Sequence, residues 1–177
     1  MFRRTLVTGL TGLLFCYAPQ TLANNFNYNF VEFRSSTSPS SLGVEFSTYV
    51  MQNLHTIARV DKQFNDAFDL AGGAGFNGPY GEFLDLNGEM LLHYAQPEQN
   101  QVVDDTKEGM LLELNIGARM WIGETMEFHV KIGNVEDNGM VEGGVRFHST
   151  DQLTVGAKIR NNGIWGPQTT IDVRFEF

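Results

Sequence analysis

The chain has 177 residues, with 12 Lys and Arg against 21 Asp and Glu, a formal net charge of −9. That balance opposes contact with a phosphate backbone, so no nucleic-acid partner is expected, and a single cysteine, Cys16, leaves no disulfide framework. One domain fits the length; the slightly negative mean hydropathy argues against a bundle of membrane helices but not a membrane barrel, which faces lipid only at every second position.

Met1 to Ala23 has the layout of a secretory signal peptide. Arg3 and Arg4 come first, a mostly apolar run from Leu6 to Tyr17 follows, and Thr21-Leu22-Ala23 offers small residues where a signal peptidase tests them. Cleavage is expected before Asn24, because the apolar run is too short to cross roughly 30 Å of hydrocarbon as a retained helix. Phe15 directly before Cys16 argues against a lipoprotein site. The expected mature chain, 24–177, loses Arg3 and Arg4 and so carries 10 Lys and Arg against 21 Asp and Glu, a net charge of −11. Nothing in it calls for a cofactor.

Ten period-two segments follow. In the first, Asn25 to Arg34, two registers fit: either Tyr28 and Phe30 face outward, or Val31 and Phe33 do. A Ser-rich connection broken by Pro39 leads to the second, which sets Leu42, Val44, Phe46, Thr48 and Val50 against Glu45, Ser47 and Tyr49. The third sets Leu54, Thr56, Ala58 and Val60 against His55, Arg59 and Asp61. The fourth, about Ala67 to Phe76, carries Phe68, Leu70, Gly72, Ala74 and Phe76 on one face, and Asn77-Gly78-Pro79-Tyr80-Gly81 reads as a turn. The fifth sets Leu84, Leu86, Met90, Leu92 and Tyr94 against Asp85, Asn87, Glu89 and His93, before a long polar connection from Ala95 to Glu108.

The sixth alternates Met110, Leu112, Leu114, Ile116 and Ala118 with Glu113, Asn115 and Arg119. The seventh alternates Met126, Phe128, Val130 and Ile132 with Glu127, His129 and Lys131, and Asn134 to Gly139 is a turn. Val141, Gly143, Val145 and Phe147 oppose Glu142, Arg146 and His148 in the eighth. Leu153, Val155, Ala157 and Ile159 oppose Thr154, Lys158 and Arg160 in the ninth. An eight-strand alternative treats Asn65 to Glu108 as one loop, a length rarely left unstructured.

The last segment puts Thr169, Ile171, Val173, Phe175 and Phe177 on one face and Thr170, Asp172, Arg174 and Glu176 on the other. A terminal strand that alternates in this way and ends on Phe resembles the closing strand of small Gram-negative outer-membrane β-barrels, OmpA/OmpX-like or porin-like. The resemblance covers signal, meander and terminus. It implies an all-β fold, a transmembrane antiparallel up-and-down β-barrel of ten strands, in the bacterial outer membrane. It also implies contact with outer-membrane lipids and lipopolysaccharide, and an assembly signal at Phe175 and Phe177 read by the barrel-assembly machinery through strand addition. With an even strand count both termini lie on the periplasmic side, and the loop Ala95–Glu108 lies outside.

Alternation alone does not say which face is inside, and a soluble sandwich or lipocalin-like barrel shows the same period. The membrane reading rests on export, the terminal aromatic strand and apolar faces free of charge from the fourth strand on, where a lipid-facing Arg or Lys costs about 2–4 kcal/mol. Tyr80, Trp121, Phe128, Phe147, Trp165, Phe175 and Phe177 near strand ends suit interfacial girdles. The opposite face then forms a lumen network of Glu45, Arg59, Asp61, Asp85, Glu89, Glu113, Arg119, Glu127, Lys131, Glu142, Arg146, Lys158, Arg160, Asp172, Arg174 and Glu176. Simple pairing brings Arg119 to Glu127, Glu142 to Lys158 or Arg160, and Lys158 to Asp172.

A structural plug, in an envelope-integrity or surface-interaction role, is the favoured function. A narrow pore for ions or small solutes is the first rival and an outer-membrane hydrolase the second. His55, His93, His129 and His148 point inward without metal-ligand spacing, so neither a metal nor a catalytic residue is assigned. Asp104, Asp105 and Glu108 read as a solvated acidic loop. Oligomeric state is left open.

Overall fold

The computed structural model describes residues 26–96 and 109–177; the expected signal peptide, its cleavage point, Cys16 and the acidic loop with Asp104, Asp105 and Glu108 lie outside them. Among the described residues the strands are β1 (Phe30–Thr37), β2 (Ser41–Met51), β3 (Leu54–Gln63), β4 (Phe68–Tyr80), β5 (Leu84–Gln96), β6 (Gly109–Trp121), β7 (Met126–Val135), β8 (Asn138–His148), β9 (Leu153–Asn161) and β10 (Pro167–Glu176). Each strand pairs antiparallel with its neighbours in sequence, and β10 returns to β1, so the sheet is a closed ten-strand up-and-down barrel without a free edge. Both described ends of the chain, Phe26 and Phe177, share one end of the barrel, called here the terminal end. The other is the far end.

The barrel is inside-out relative to a soluble protein. Along β10, Gln168, Thr170, Asp172, Arg174 and Glu176 are buried while Thr169, Ile171, Val173 and Phe175 are exposed. Ile116 is 63% exposed and Leu92 48%, whereas Asp85 and Glu127 are at 0%. In water this distribution would leave the main apolar surface unburied and strip charges of hydration for nothing. The soluble alternative, with Leu and Met inside, is therefore not the arrangement found. A wall of strands 8 to 13 residues long suits a bilayer crossing, which takes about 9–11 tilted residues.

Room for inward charge comes from glycine on the neighbouring strand. Gly43 pairs with Asp61 and Gly156 with Asp172, and a Cβ at either glycine would overlap the facing carboxylate. Omitting these side chains lets a narrow lumen hold long ionised ones.

One open local reading is decided and three are corrected. β1 takes the second of its two registers: Phe33 is exposed, while Tyr28 and Phe30 are buried. β4 does not end at Phe76 but runs through Asn77 to Tyr80, pairing Pro79 with Asp85. The Asn77 N–H donates toward β3, to Asn53 O at 3.0 Å. Two residues on, the Pro79 nitrogen faces the same way, past the first residue of β3, so no ladder bond is lost there. The next turn is narrower than Asn134–Gly139, since only Glu136 and Asp137 separate β7 from β8. Trp121 turns to the lumen mouth, stacked on Phe26, and not to a lipid girdle.

Candidate functional site

The lumen is the one place where polar chemistry gathers among the described residues, and it is built in tiers. At the terminal end, residues 26–29 precede β1 and fold into the barrel. Tyr28 stacks on His55 with ring centroids 4.4 Å apart, and its hydroxyl donates to Asp85 Oδ2 at 2.6 Å. Phe26 stacks on Trp121 at 5.7 Å, and Trp121 lies 4.4 Å from His148. The Arg119 guanidinium sits 5.0 Å from the Phe26 ring and 4.9 Å from the Tyr28 ring. It also donates from Nη1 to Asn27 O at 3.1 Å. These aromatics form a stopper held by cation–π and hydrogen-bond contacts.

Glu127 anchors the tier below. It accepts from Arg119 Nε and Nη2, both at 2.8 Å, and from Arg146 Nη1 at 2.9 Å. His148 Nε2 lies 3.2 Å from its other oxygen. The paired N–H donors of Arg119 match the planar carboxylate, the strongest geometry for such a bond.

The middle tier crosses the seam where β1 meets β10. Glu32 and Glu45 are directly opposed on β1 and β2, a like-charge pair that needs cations between its members. Arg174 supplies two donors to Glu32 at 2.6 and 2.9 Å, and Lys158 adds one at 3.1 Å. Arg34 donates to Glu45 and forks to Asp61 at 3.1 and 3.2 Å. Arg59 reaches Glu45 at 2.9 Å and Glu113 at 3.3 Å, and Lys131 reaches Glu89 at 2.7 Å. Lys158 also approaches Glu142 at 3.5 Å.

At the far end His93 is held by both nitrogens, Nδ1 2.9 Å from Asp69 and Nε2 2.8 Å from Glu113. Arg160 donates to Gln168 at 3.0 Å and lies 3.6 Å from Asp61. An apolar cluster of Ala95, Leu111 and Val135, with Ile164 packed against it, lies at this end of the barrel.

The residues read from the sequence thus sit inside, but not always with the partner that simple pairing suggests. Asp172 is opposite Gly156, and Lys158 is opposite Thr170, so the expected Lys158–Asp172 contact gives way to Lys158–Glu32. Among the described residues Asp172 keeps an ion pair with Arg146 Nε alone, at 3.9 Å. Asp85 is bonded to a tyrosine instead of a cation. Sequence reading missed Glu32 and Arg34, hidden by the undecided register of β1. It also missed Asp69, which parity with Phe68 and Leu70 would have placed inward beside His93.

Among the described residues the lumen leaves small spaces of about 40 Å³ near mid-barrel and about 10 Å³ beside His93. Each is on the scale of single waters, since one needs about 10–15 Å³. Among the described residues no cluster of His, Cys, Asp or Glu is arranged to hold a metal ion.

Closed antiparallel wall, apolar exterior and ionised interior define the class: the fold is that of outer-membrane β-barrels, porin-like in architecture. No protein-family model matches the chain, and no curated protein matches it. Among solved structures it is similar to the KdgM porin, with a TM-score of 0.57 at 7% identity over 84% of this chain and 99% of that one. The same figures hold for KdgM porin in complex with disordered oligogalacturonate. Omp33 of Acinetobacter baumannii matches with a TM-score of 0.48 at 9% identity, over 87% of this chain and all of that one. At such identities the likeness is one of fold.

Proposed function

We propose that this chain is a sealed barrel of the bacterial outer membrane, serving envelope integrity or surface interaction and carrying out no catalysis. The observation that supports it is the stoppered lumen: aromatics at the terminal end, an apolar cluster at the far end and a paired ionic network between. The lumen spaces of about 40 and 10 Å³ are too small for a hydrated ion to pass. On this reading the exposed apolar wall contacts outer-membrane lipids and lipopolysaccharide, and the terminal end faces the periplasm. Phe175 and Phe177, both outward and half exposed, serve the barrel-assembly machinery as the terminal signal.

The rival reading is a narrow pore, favoured by the fold likeness to the KdgM porin. It requires the middle tier to part, which breaks several buried ion pairs at once. Hydrolysis is less well supported: His93 lies between two carboxylates and not beside a hydroxyl or thiol, and His148, which links the Thr154 hydroxyl to Glu127, has the Trp121 ring packed 4.4 Å from it. Planar-bilayer recording of the purified barrel decides. A silent trace at moderate voltage is expected, and discrete conductance steps from the folded monomer would replace the sealed reading with the pore.

A further inference from the structure

On the outward wall at the far end, β1, β2 and β3 border a groove of about 280 Å³ that passes Gly43. Its chemistry is graded along the strands. The cross-strand row nearest the far rim is Ser35, Leu42 and Lys62, and the next outward row, two residues deeper, is Phe33, Val44 and Val60. Hydrogen-bond donors therefore flank the groove at the rim, and the row below is wholly apolar. A lipid standing in the outer half of a bilayer presents the matching order, a polar head at the surface and an acyl chain beneath it.

Lys62 sets the charge of that head. Every other Lys or Arg among the described residues is turned into the lumen, whereas Lys62 is exposed on the outer wall. Its ammonium lies 3.7 Å from Asp66 Oδ1, with the two side chains 64% and 90% exposed. A pair so open to solvent contributes little, and an incoming anion displaces it readily. A phosphate accepts a charge-assisted hydrogen bond from the ammonium, and the Ser35 hydroxyl donates from the opposite edge of the groove. We propose that this groove holds one acyl chain of a phosphorylated lipid of the outer leaflet, its phosphate paired with Lys62. The proposal rests on the reading that the far end faces outside and the exposed wall contacts outer-membrane lipids. It adds to that reading one defined site and the headgroup chemistry it selects.

The test presents the full chain, folded in detergent, with lipid A and with dephosphorylated lipid A, which has the same acyl chains, and counts the retained lipid by native mass spectrometry. One lipid A per barrel is expected, preferred by about fivefold over the dephosphorylated form, as befits one lysine at an anionic membrane surface. Lys62→Gln should remove most of that preference, Lys62→Arg should keep it, and Asp66→Asn should raise it by freeing the ammonium. Val44→Trp fills the groove without touching charge and should lower retention of both lipids. Equal retention of the two lipids by the wild type overturns the proposal, as does an undiminished preference in Lys62→Gln. Orientation is read separately by labelling Asp66→Cys on intact cells with a membrane-impermeant maleimide, the expected mature chain having no cysteine of its own. Labelling without lipid preference refutes the site and leaves the orientation standing. Preference without labelling keeps the phosphate site but refutes the orientation, and with it the outer-leaflet source of the lipid.

Discussion

Glu127 is the carboxylate on which the terminal half of the network turns, and Glu127→Gln is the sharpest perturbation of it. The side chain is fully buried and accepts three arginine hydrogen bonds, two from Arg119 and one from Arg146. Glutamine is nearly isosteric, so the substitution removes charge without opening a cavity. Arg119 then keeps Asn27 O and the aromatic rings as partners, but no carboxylate within bonding distance among the described residues. Arg146 keeps only Glu32 at 3.6 Å and Asp172 at 3.9 Å. Removing one member of a buried ion pair costs about 3–5 kcal/mol, because the other charge stays desolvated. Reversible urea unfolding in lipid vesicles, followed by tryptophan fluorescence and heat-modifiable gel migration, measures it directly. A loss of about 3 kcal/mol or more is expected, with partial recovery in Glu127→Gln/Arg119→Met, where charge is removed from both sides. A single substitution costing under about 0.5 kcal/mol, the range of an ordinary surface change, would mean that the carboxylates do not hold this barrel together.

Three further outcomes follow from the same geometry. Ile132→Arg, at an exposed outward position, should cost about 2–4 kcal/mol in vesicle refolding, while Lys62→Arg, an outward cation near the far rim, should be neutral. Gly156→Val should sharply lower the folded fraction on gels, because its side chain meets the Asp172 carboxylate, whereas Gly123→Ala in the β6–β7 turn meets nothing and should fold normally. His93→Leu leaves Asp69 and Glu113 facing each other without their shared donor; a loss of about 1–3 kcal/mol is expected by urea unfolding, and an unchanged midpoint would show that the clamp is idle.

Much of this molecule is legible from alternation, and what is not has identifiable physical causes. β10 could be read residue by residue because from Ile171 on its two faces differ in polarity at every step. β1 could not, because Tyr28 and Phe30 at one parity are as apolar as Val31 and Phe33 at the other. The first pair fills the lumen mouth and the second meets the exterior, and period two does not distinguish an aromatic stopper from an aromatic girdle. The same ambiguity misplaces Trp121. Local turn chemistry misled at Asn77-Gly78-Pro79, where the outcome depended on how far β3 extends, a property of another segment. Partner choice inside the lumen was legible only in part. Parity says which face Lys158 takes, but the register of β9 against β10 and the reach of its side chain decide that it meets Glu32 and Glu142.

The two stoppers and the ionic middle depend on each other. An ion pair open to water contributes little, about 0–1 kcal/mol, and salt screens it; the same pair behind an apolar seal keeps much more of its attraction. Phe26, Tyr28 and Trp121 at one end and Leu111, Val135 and Ile164 at the other therefore give the network its strength by excluding water, and the network in turn holds Tyr28 and Phe26 through Asp85 and Arg119. This coupling has a signature distinct from lost packing. Wild-type stability should barely change between low salt and 1 M, where the Debye length falls to about 3 Å, because the pairs are not reached by mobile ions. Phe26→Ser/Tyr28→Ser should lose stability and, in addition, lose more of it as salt rises, since opening the terminal end admits screening ions to Glu127, Arg119 and Arg146. A double variant that is destabilised equally at every salt concentration would show that the aromatics only pack, and that the ion pairs hold without them.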